Sequence, residues 1–432
     1  MIGDFIASHG INLIQILLSI IGYLMPIPLA YVAVKVWHEY RQDRFISGIK
    51  WVLLEIQVPR EIVKSPMAME LIFSNAFYQK SVKGFWERYI IGAPWLWFSC
   101  ELVSIDGRVH FYIRTPSRIK TVVETQIYAQ YPQAKVVEVE DYVWNISEYT
   151  KNGEWNVWGC EFTKEKPDFR PVKTYKNFGD DMKTGVKEEY KIDPITPTIE
   201  YLGSLPKGQQ VWIQIIVRQS IKKYKDKHGH KVGFDKAMID YMDEIMEGYV
   251  RLHDVDKPNL PTAKQIFLPE HLKPVVTAMN DNMTKLHFDC GIRLIALAEK
   301  KTNSIEAFNN LRREVRTLFR QYALPFSNEF LRVNSTLFDA PWSDPTGLAL
   351  TKMKKRILDF YRTRTFFHPP IQYSFNYPEI MSIFFPSGKP KIFVLSTEEL
   401  ATVFHFPGMV SETPSFKRVE TKIAKPPSNL PL

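Results

Sequence analysis

The sequence predicts an α+β chain: an N-terminal transmembrane helix followed by two βαββαβ units, the second carrying a helical insertion. Three observations predict it. A charge-free apolar run opens the chain, a strand-helix-strand-strand-helix-strand order follows from residue 50, and that order recurs after residue 150 with longer connections. Composition supports folded domains, since apolar residues make up 45% and charged residues 24% of 432 residues, enough for two or three cores.

The 30 residues between Asp4 and Lys35 contain no Asp, Glu, Lys or Arg, and roughly 20 apolar residues cross a bilayer. Ile11, Leu17, Ile21, Leu24 and Val34 mark the expected anchor, with Pro26 and Pro28 expected to kink or break it. A cleaved signal peptide would want a basic start, but Met1 to Gly10 carries Asp4 and no Lys or Arg. A buried core helix is the competing reading. Lys35, Arg41, Arg44 and Lys50 follow the run, which places the body on the cytoplasmic side of the inner membrane as a single-pass protein with the lipid bilayer as its first partner. Cys100, Cys160 and Cys290 are widely spaced without CxxC, in keeping with a reducing compartment and with packing roles.

In the first unit, Trp51 to Val58 reads as a strand ending at Pro59, and Ser65-Pro66 starts a helix with Met69, Ile72, Phe73 and Phe77 on one face. Trp95 to Ile105 and Arg108 to Arg114 flank Asp106-Gly107, a strong hairpin signal. Ser117 can cap a helix with Ile119, Val122, Val123 and Ile127 inward, and Val136 to Val139 closes the unit. This is the order of the ferredoxin-like split motif. In the second unit the strands are Asn156 to Phe162, Gln210 to Val217, Leu286 to Leu297 and Phe330 to Leu337. Asp193-Pro194 opens its first helix, and an Asn303-x-x-Glu306 capping box its second. Domains are therefore expected at 1–44 (anchor), 45–150, 151–340 with an insertion at 219–284, 341–391 (basic helix and connector) and 392–432 (extended Pro-rich tail).

The insertion opens on Lys222, Lys223, Lys225, Lys227 and Lys231, ahead of helices expected over 234–252 and 269–283. The later helix carries Lys352, Lys354, Lys355, Arg356, Arg362 and Arg364 around an inward face of Leu350, Met353, Ile357 and Phe360. With 56 Lys and Arg against 47 Asp and Glu, the chain suits anionic partners. Lys222, Lys223, Lys225, Lys227, Lys352, Lys355 and Arg356 are the candidate contacts for nucleic acid or anionic lipid, against the plainer reading of solvated faces. Val109 to Arg114 is aromatic and strand-like, for core packing or base stacking.

No GxxxxGK[ST] loop, GxSxG elbow, HExxH or GxGxxG occurs, so no catalytic residue, cofactor or metal site is assigned. His228-x-His230 with Asp226 is the one histidine pair a metal could use, but surrounding lysines oppose a cation.

The stretch Phe393-Val394-Leu395-Ser396-Thr397-Glu398-Glu399-Leu400-Ala401-Thr402-Val403-Phe404-His405-Phe406-Pro407-Gly408 resembles a known one, together with Pro426-Pro427-Ser428-Asn429-Leu430-Pro431, Leu54 to Arg60 and Glu124 to Tyr142. It is similar to the membrane-anchored N-terminal region of coupling-protein-like ATPases of type IV secretion and conjugation in candidate-phylum bacteria. In that family a nucleotide-binding core follows, and none follows Leu432 here. The resemblance implies a noncatalytic, membrane-anchored component that positions a secretion ATPase present as another polypeptide or lying outside this sequence, with His405, Phe406 and Pro407 as the docking contact. The alternative is a membrane-tethered DNA-binding module using the basic insertion and basic helix, and a membrane enzyme is a third reading. Oligomeric state and the transported substrate are left open.

Overall fold

The computed structural model describes residues 22–23, 25–59, 64–78, 83–178, 193–247, 250–253, 263–266, 268–336, 344–368 and 391–407. The chain divides into two compact units, one made of residues 1–50, 81–94 and 368–385 and the other of the remainder.

In the smaller unit, helix α1 (Pro26–Ser47) packs on a π-helical turn, Trp86–Ile91. Arg41 Nε donates to the Ile90 carbonyl at 2.9 Å, and the rings of His38 and Tyr89 lie 5.3 Å apart. Here the expectation of a membrane anchor is corrected. No helix among the described residues is long and apolar enough to cross a membrane. The physical reason is that Lys35, Glu39, Arg41, Asp43 and Arg44 lie inside α1 instead of flanking it, and Pro26 opens the helix at a position where proline is tolerated. Val34 is exposed on α1, whereas Ile11, Leu17, Ile21 and Leu24 lie outside the described residues. The transmembrane helix, and the single-pass inner-membrane placement that rested on it, are therefore not supported.

The larger unit is α+β, built on a nine-stranded, mostly antiparallel sheet. Strands β1 (Trp51–Gln57), β2 (Phe98–Ile105), β3 (Arg108–Pro116) and β4 (Lys135–Val139) stand in the order β4-β1-β3-β2. Helices α2 (Met67–Ile72) and α3 (Lys120–Gln130) make the two crossovers. Asp106 (φ 55°) and Gly107 (φ 77°) form the turn between β2 and β3, as a two-residue hairpin with left-handed central residues requires.

Strands β5 (Trp155–Lys164), β6 (Gln209–Gln219), β11 (His287–Glu299) and β12 (Phe330–Val333) repeat the pattern as β12-β5-β11-β6. The crossovers are α4 (Thr196–Gly203) and α7 (Ile305–Val315). Helix α7 is capped one residue later than the sequence suggests: Ser304 Oγ, not Asn303, accepts the Ala307 N–H. The two halves join edge to edge where β2 pairs with β6, Leu102 facing Ile213.

Between β6 and β11 lie the hairpin strands β7 (Tyr224–Lys225) and β8 (Lys231–Val232), then α5 (Phe234–Glu247), the paired strands β9 (Val250–His253) and β10 (Ala263–Ile266), and α6 (Lys273–Met283). The expected helix over 234–252 thus ends at Glu247, and its last residues form a strand. Met238, Met242, Val275 and Met279 pack α5 on α6, over Phe169 and Val394.

One sheet face is covered by α2, α3, α4 and α7. The opposite face is covered by α8 (Leu348–Thr363), whose Leu358 and Tyr361 pack on Val157, Trp212 and Ile295. The expected extended tail is corrected over its described part. Strand β13 (Phe393–Ser396) pairs with β11 beyond the end of β5, and α9 (Thr397–Val403) is buried throughout. Apolar residues in every turn of this short segment explain why it is core and not tail. Residues 408–432 lie outside the described ones.

Candidate nucleic-acid interface

The basic run of the insertion folds as a hairpin with a fixed base and an exposed tip. At the base, Lys222 Nζ and Tyr224 Oη both reach Asp168 Oδ2, whose other oxygen accepts the Val394 N–H at 3.2 Å. The Phe169 ring sits 4.9 Å from Tyr224 and 5.3 Å from Phe234. At the tip, Asp226 Oδ1 accepts the backbone N–H groups of His228 (2.9 Å) and His230 (2.8 Å), and Gly229 supplies a φ of 81°. Burial works against ionisation of Asp226, but those two N–H bonds hold its carboxyl below the usual range.

Lys223, Lys225, Lys227, His228, His230 and Lys231 are exposed. Lys227 pairs with exposed Glu247 at 3.5 Å, a contact worth about 0–1 kcal/mol. Lys225 stands directly across the ladder from Lys231, and like charges at such a pair are destabilising. The hairpin therefore holds two lysines on one face at a cost that a bound anion would relieve. Lys222 belongs to the anchored base. His230 Nδ1 lies 3.5 Å from Asp226, and no group of three metal-binding side chains occurs among the described residues.

The basic helix contributes less surface than its sequence suggests. Lys352 and Lys355 are exposed on α8, Lys355 pairing with Glu148 at 3.0 Å, and the Arg356 guanidinium lies 5.0 Å from the Phe360 ring centroid. Arg362 and Arg364 are buried. His405, Phe406 and Pro407 are buried as well. Phe406 packs against Phe111 and Tyr131, and His405 Nε2 lies 2.6 Å from Asp193 with Nδ1 2.8 Å from the Ala401 carbonyl. These three side chains present no surface for the docking contact expected of them. The aromatics of β3 also divide: Phe111 is core, while Tyr112 stacks on Tyr142 at 4.9 Å under the opposite face.

The sequence reading missed a charged row under α8. Glu161, Arg293, Gln214 and Glu101 stand in consecutive register on β5, β11, β6 and β2. Arg293 Nη2 donates to Glu161 at 2.7 Å and its Nη1 to Gln214 at 3.2 Å. Arg364, fully buried, forks onto Glu101 (2.9 and 3.0 Å) and onto Asp141 (2.6 and 2.8 Å). Burial acts to raise the Glu101 carboxyl, but the Arg364 guanidinium and the Ser99 and Tyr142 hydroxyls hold it below the usual carboxylate range. One polar residue in the middle of each apolar strand was the available signal. Closed off from solvent, the row is internal structure. Burial pushes the thiols of Cys100, Cys160 and Cys290 upward, which leaves them protonated packing residues.

A shallow groove of about 750 Å³ lies between α4 and α7, lined by Thr198, Tyr201, Arg313 and Glu314 among others. Its polar side chains are largely bonded to each other, Tyr201 to Glu314 at 3.1 Å and Gln321 to Thr198 at 2.9 Å. Compared with protein-family models and with curated protein sequences, the chain has no match.

Proposed function

We propose that this protein is a noncatalytic nucleic-acid-binding component of a type IV secretion or conjugation-like machine, with the β7–β8 hairpin as its contact with the phosphate backbone. The observation that carries this reading is the pairing of Lys225 with Lys231 on an exposed hairpin whose base is fixed by Asp168 and Phe169. An anchored base keeps the ordering cost of binding low, and the exposed lysines supply the charge that contact with phosphates requires. Binding to a short DNA duplex should fall steeply with salt, the slope decreasing by about 0.9 for each phosphate contact removed. Replacing Lys223, Lys225 and Lys231 by Glu should weaken binding well beyond tenfold with an unchanged unfolding midpoint; an unaltered affinity would reject the hairpin.

A second reading, positioning of a partner ATPase, rests on the resemblance carried by residues 393–407, although that stretch is buried in the body. Glu399 of α9 pairs with buried Lys164 at 2.8 Å and closes a capping box with Ser396, so the segment is a rigid part of the body. Affinity capture of the full chain with and without nuclease separates the two. Recovery of an ATPase after digestion supports positioning, and loss of all partners supports the nucleic-acid reading.

A further inference from the structure

We infer that His287 is a pH-sensitive fastener between the insertion and the sheet, holding α5 in place while its ring is neutral and releasing it when the ring is charged. The residue stands where three elements meet. As the first residue of β11 it lies opposite Ser396 of β13, and its carbonyl accepts the Ser220 N–H at 3.1 Å, where the chain leaves β6 for the insertion. Its buried ring lies 4.0 Å, centroid to centroid, from that of Phe234 at the start of α5. Phe234 in turn packs on Phe169 and Tyr224 at the base of the β7–β8 hairpin. The joint thus sets how firmly that hairpin is held, and the inference stands whether or not the hairpin binds nucleic acid.

The two ring nitrogens have unlike surroundings. Nδ1 lies 3.9 Å from Asp235 Oδ1 of α5, whereas Nε2 is buried and meets no hydrogen-bond partner among the described residues. A neutral imidazole with its proton on Nδ1 fits this place, since Nε2 then carries only a lone pair. An imidazolium does not, because its second N–H would be a buried, charged donor without an acceptor. The charges that reach the ring do not make up for this. Asp235 is 80% exposed, so water screens it, and Glu399 of α9 is already paired with Lys164 of β5 at 2.8 Å. Burial therefore lowers the His287 ring below its ordinary value of 6.5, with Lys164 acting in the same direction, against upward pulls from Glu399, Asp235 and the Asn282 backbone of α6. Once α5 lifts away, the ring meets water and takes its proton at about 6.5. Below that pH the open form binds more protons than the closed one, so closure weakens as the pH falls; above it, both forms are neutral and closure is unaffected.

The test is hydrogen exchange of the full chain, corrected for intrinsic rates and read by mass spectrometry at pH 7.5 and pH 5.0. Peptides from α5 should lose protection severalfold at pH 5.0 while those from β6 and the centre of β11 keep theirs. His287→Phe, whose ring cannot charge, should hold α5 equally at both pH values. Nitrogen NMR of the histidine-labelled wild type gives an independent reading: His287, assigned through its contact with the Phe234 ring, should show a bare Nε2 at pH 7.5 and titrate below 6.5. Titration at or above 6.5 would overturn the inference. So would α5 protection that is the same at both pH values in the wild type, or that falls equally in the wild type and His287→Phe. The wild-type exchange and titration decide the matter even if the variant does not fold.

Discussion

The two halves of the sheet share a strand order but differ in how their second and third strands are joined. In the first half, Asp106-Gly107 turns β2 directly into β3; in the second, residues 220–286 separate β6 from β11. Loop-closure entropy grows slowly with length, by about 0.6 kcal/mol per doubling, so a sheet can carry an insertion at a hairpin end without losing its register. The insertion is tied down by its own core of Phe234, Met238 and Met279 and by Asp168 and Phe169. One half thus spends its hairpin on structure, and the other uses the same position to present a surface.

The largest expected effect tests what fastens the segment after α8 to the first half, beside the seam between the halves. Glu101 belongs to the first half, Gln214 and Arg293 to the second, and Arg364 closes the row from beyond α8. Removing one partner of a buried ion pair costs about 3–5 kcal/mol, so Arg364→Met should lower unfolding stability by that amount. Adding Glu101→Met should restore part of it, because the abandoned charge goes too. Full additivity of the two substitutions in denaturant titrations would show that Glu101 and Arg364 do not interact. Next in size is Phe406→Ala, expected to cost about 3–5 kcal/mol because the ring fills a space between Phe111 and Tyr131. A docking residue would leave stability unchanged and alter only partner recovery.

The two hairpin glycines give a smaller, paired contrast. A Cβ on Gly107 would lie 2.6 Å from the Leu205 carbonyl oxygen at a φ of 77°, whereas one on Gly229, at 81°, meets nothing within 4 Å. Gly229→Ala should cost about 1–2 kcal/mol, the conformational term alone. Gly107→Ala should cost more, since backbone must also move. Equal losses in thermal unfolding would mean that the first hairpin is not locked against the second half.

Much of this was legible in advance. Alternating apolar runs, the Asp-Gly pair and the helical faces of α3 and α7 located the sheet strands and crossovers, because local periodicity reports burial directly. Three things were not legible. The apolar N-terminal run looked like a span because hydropathy alone cannot say where a helix begins, and α1 draws in five charged residues. The segment 393–407 looked like a tail because four strand residues and two helical turns carry too little periodicity to reveal burial. The basic residues in and just after α8 looked alike in sequence, yet Lys352 is exposed while Arg364 is fully buried; only the presence of Glu101 and Asp141 beneath the end of the helix explains where Arg364 goes.

The smallest effect concerns Lys354, and its sign follows from linkage. The folded chain releases the Lys354 proton at about 8, and an unfolded lysine does so near 10.4. Between those values the unfolded chain binds more protons than the folded one, so stability rises with pH. Below about pH 8 both states are protonated, and the cost of burying the ammonium, followed by the repulsion from Arg312 and Lys300, is present in full. The stability of the wild type relative to Lys354→Met should therefore increase from pH 7.5 to 9.5, a difference that cancels the titration of other groups. Parallel curves for the two proteins would show that Lys354 titrates as an ordinary surface lysine.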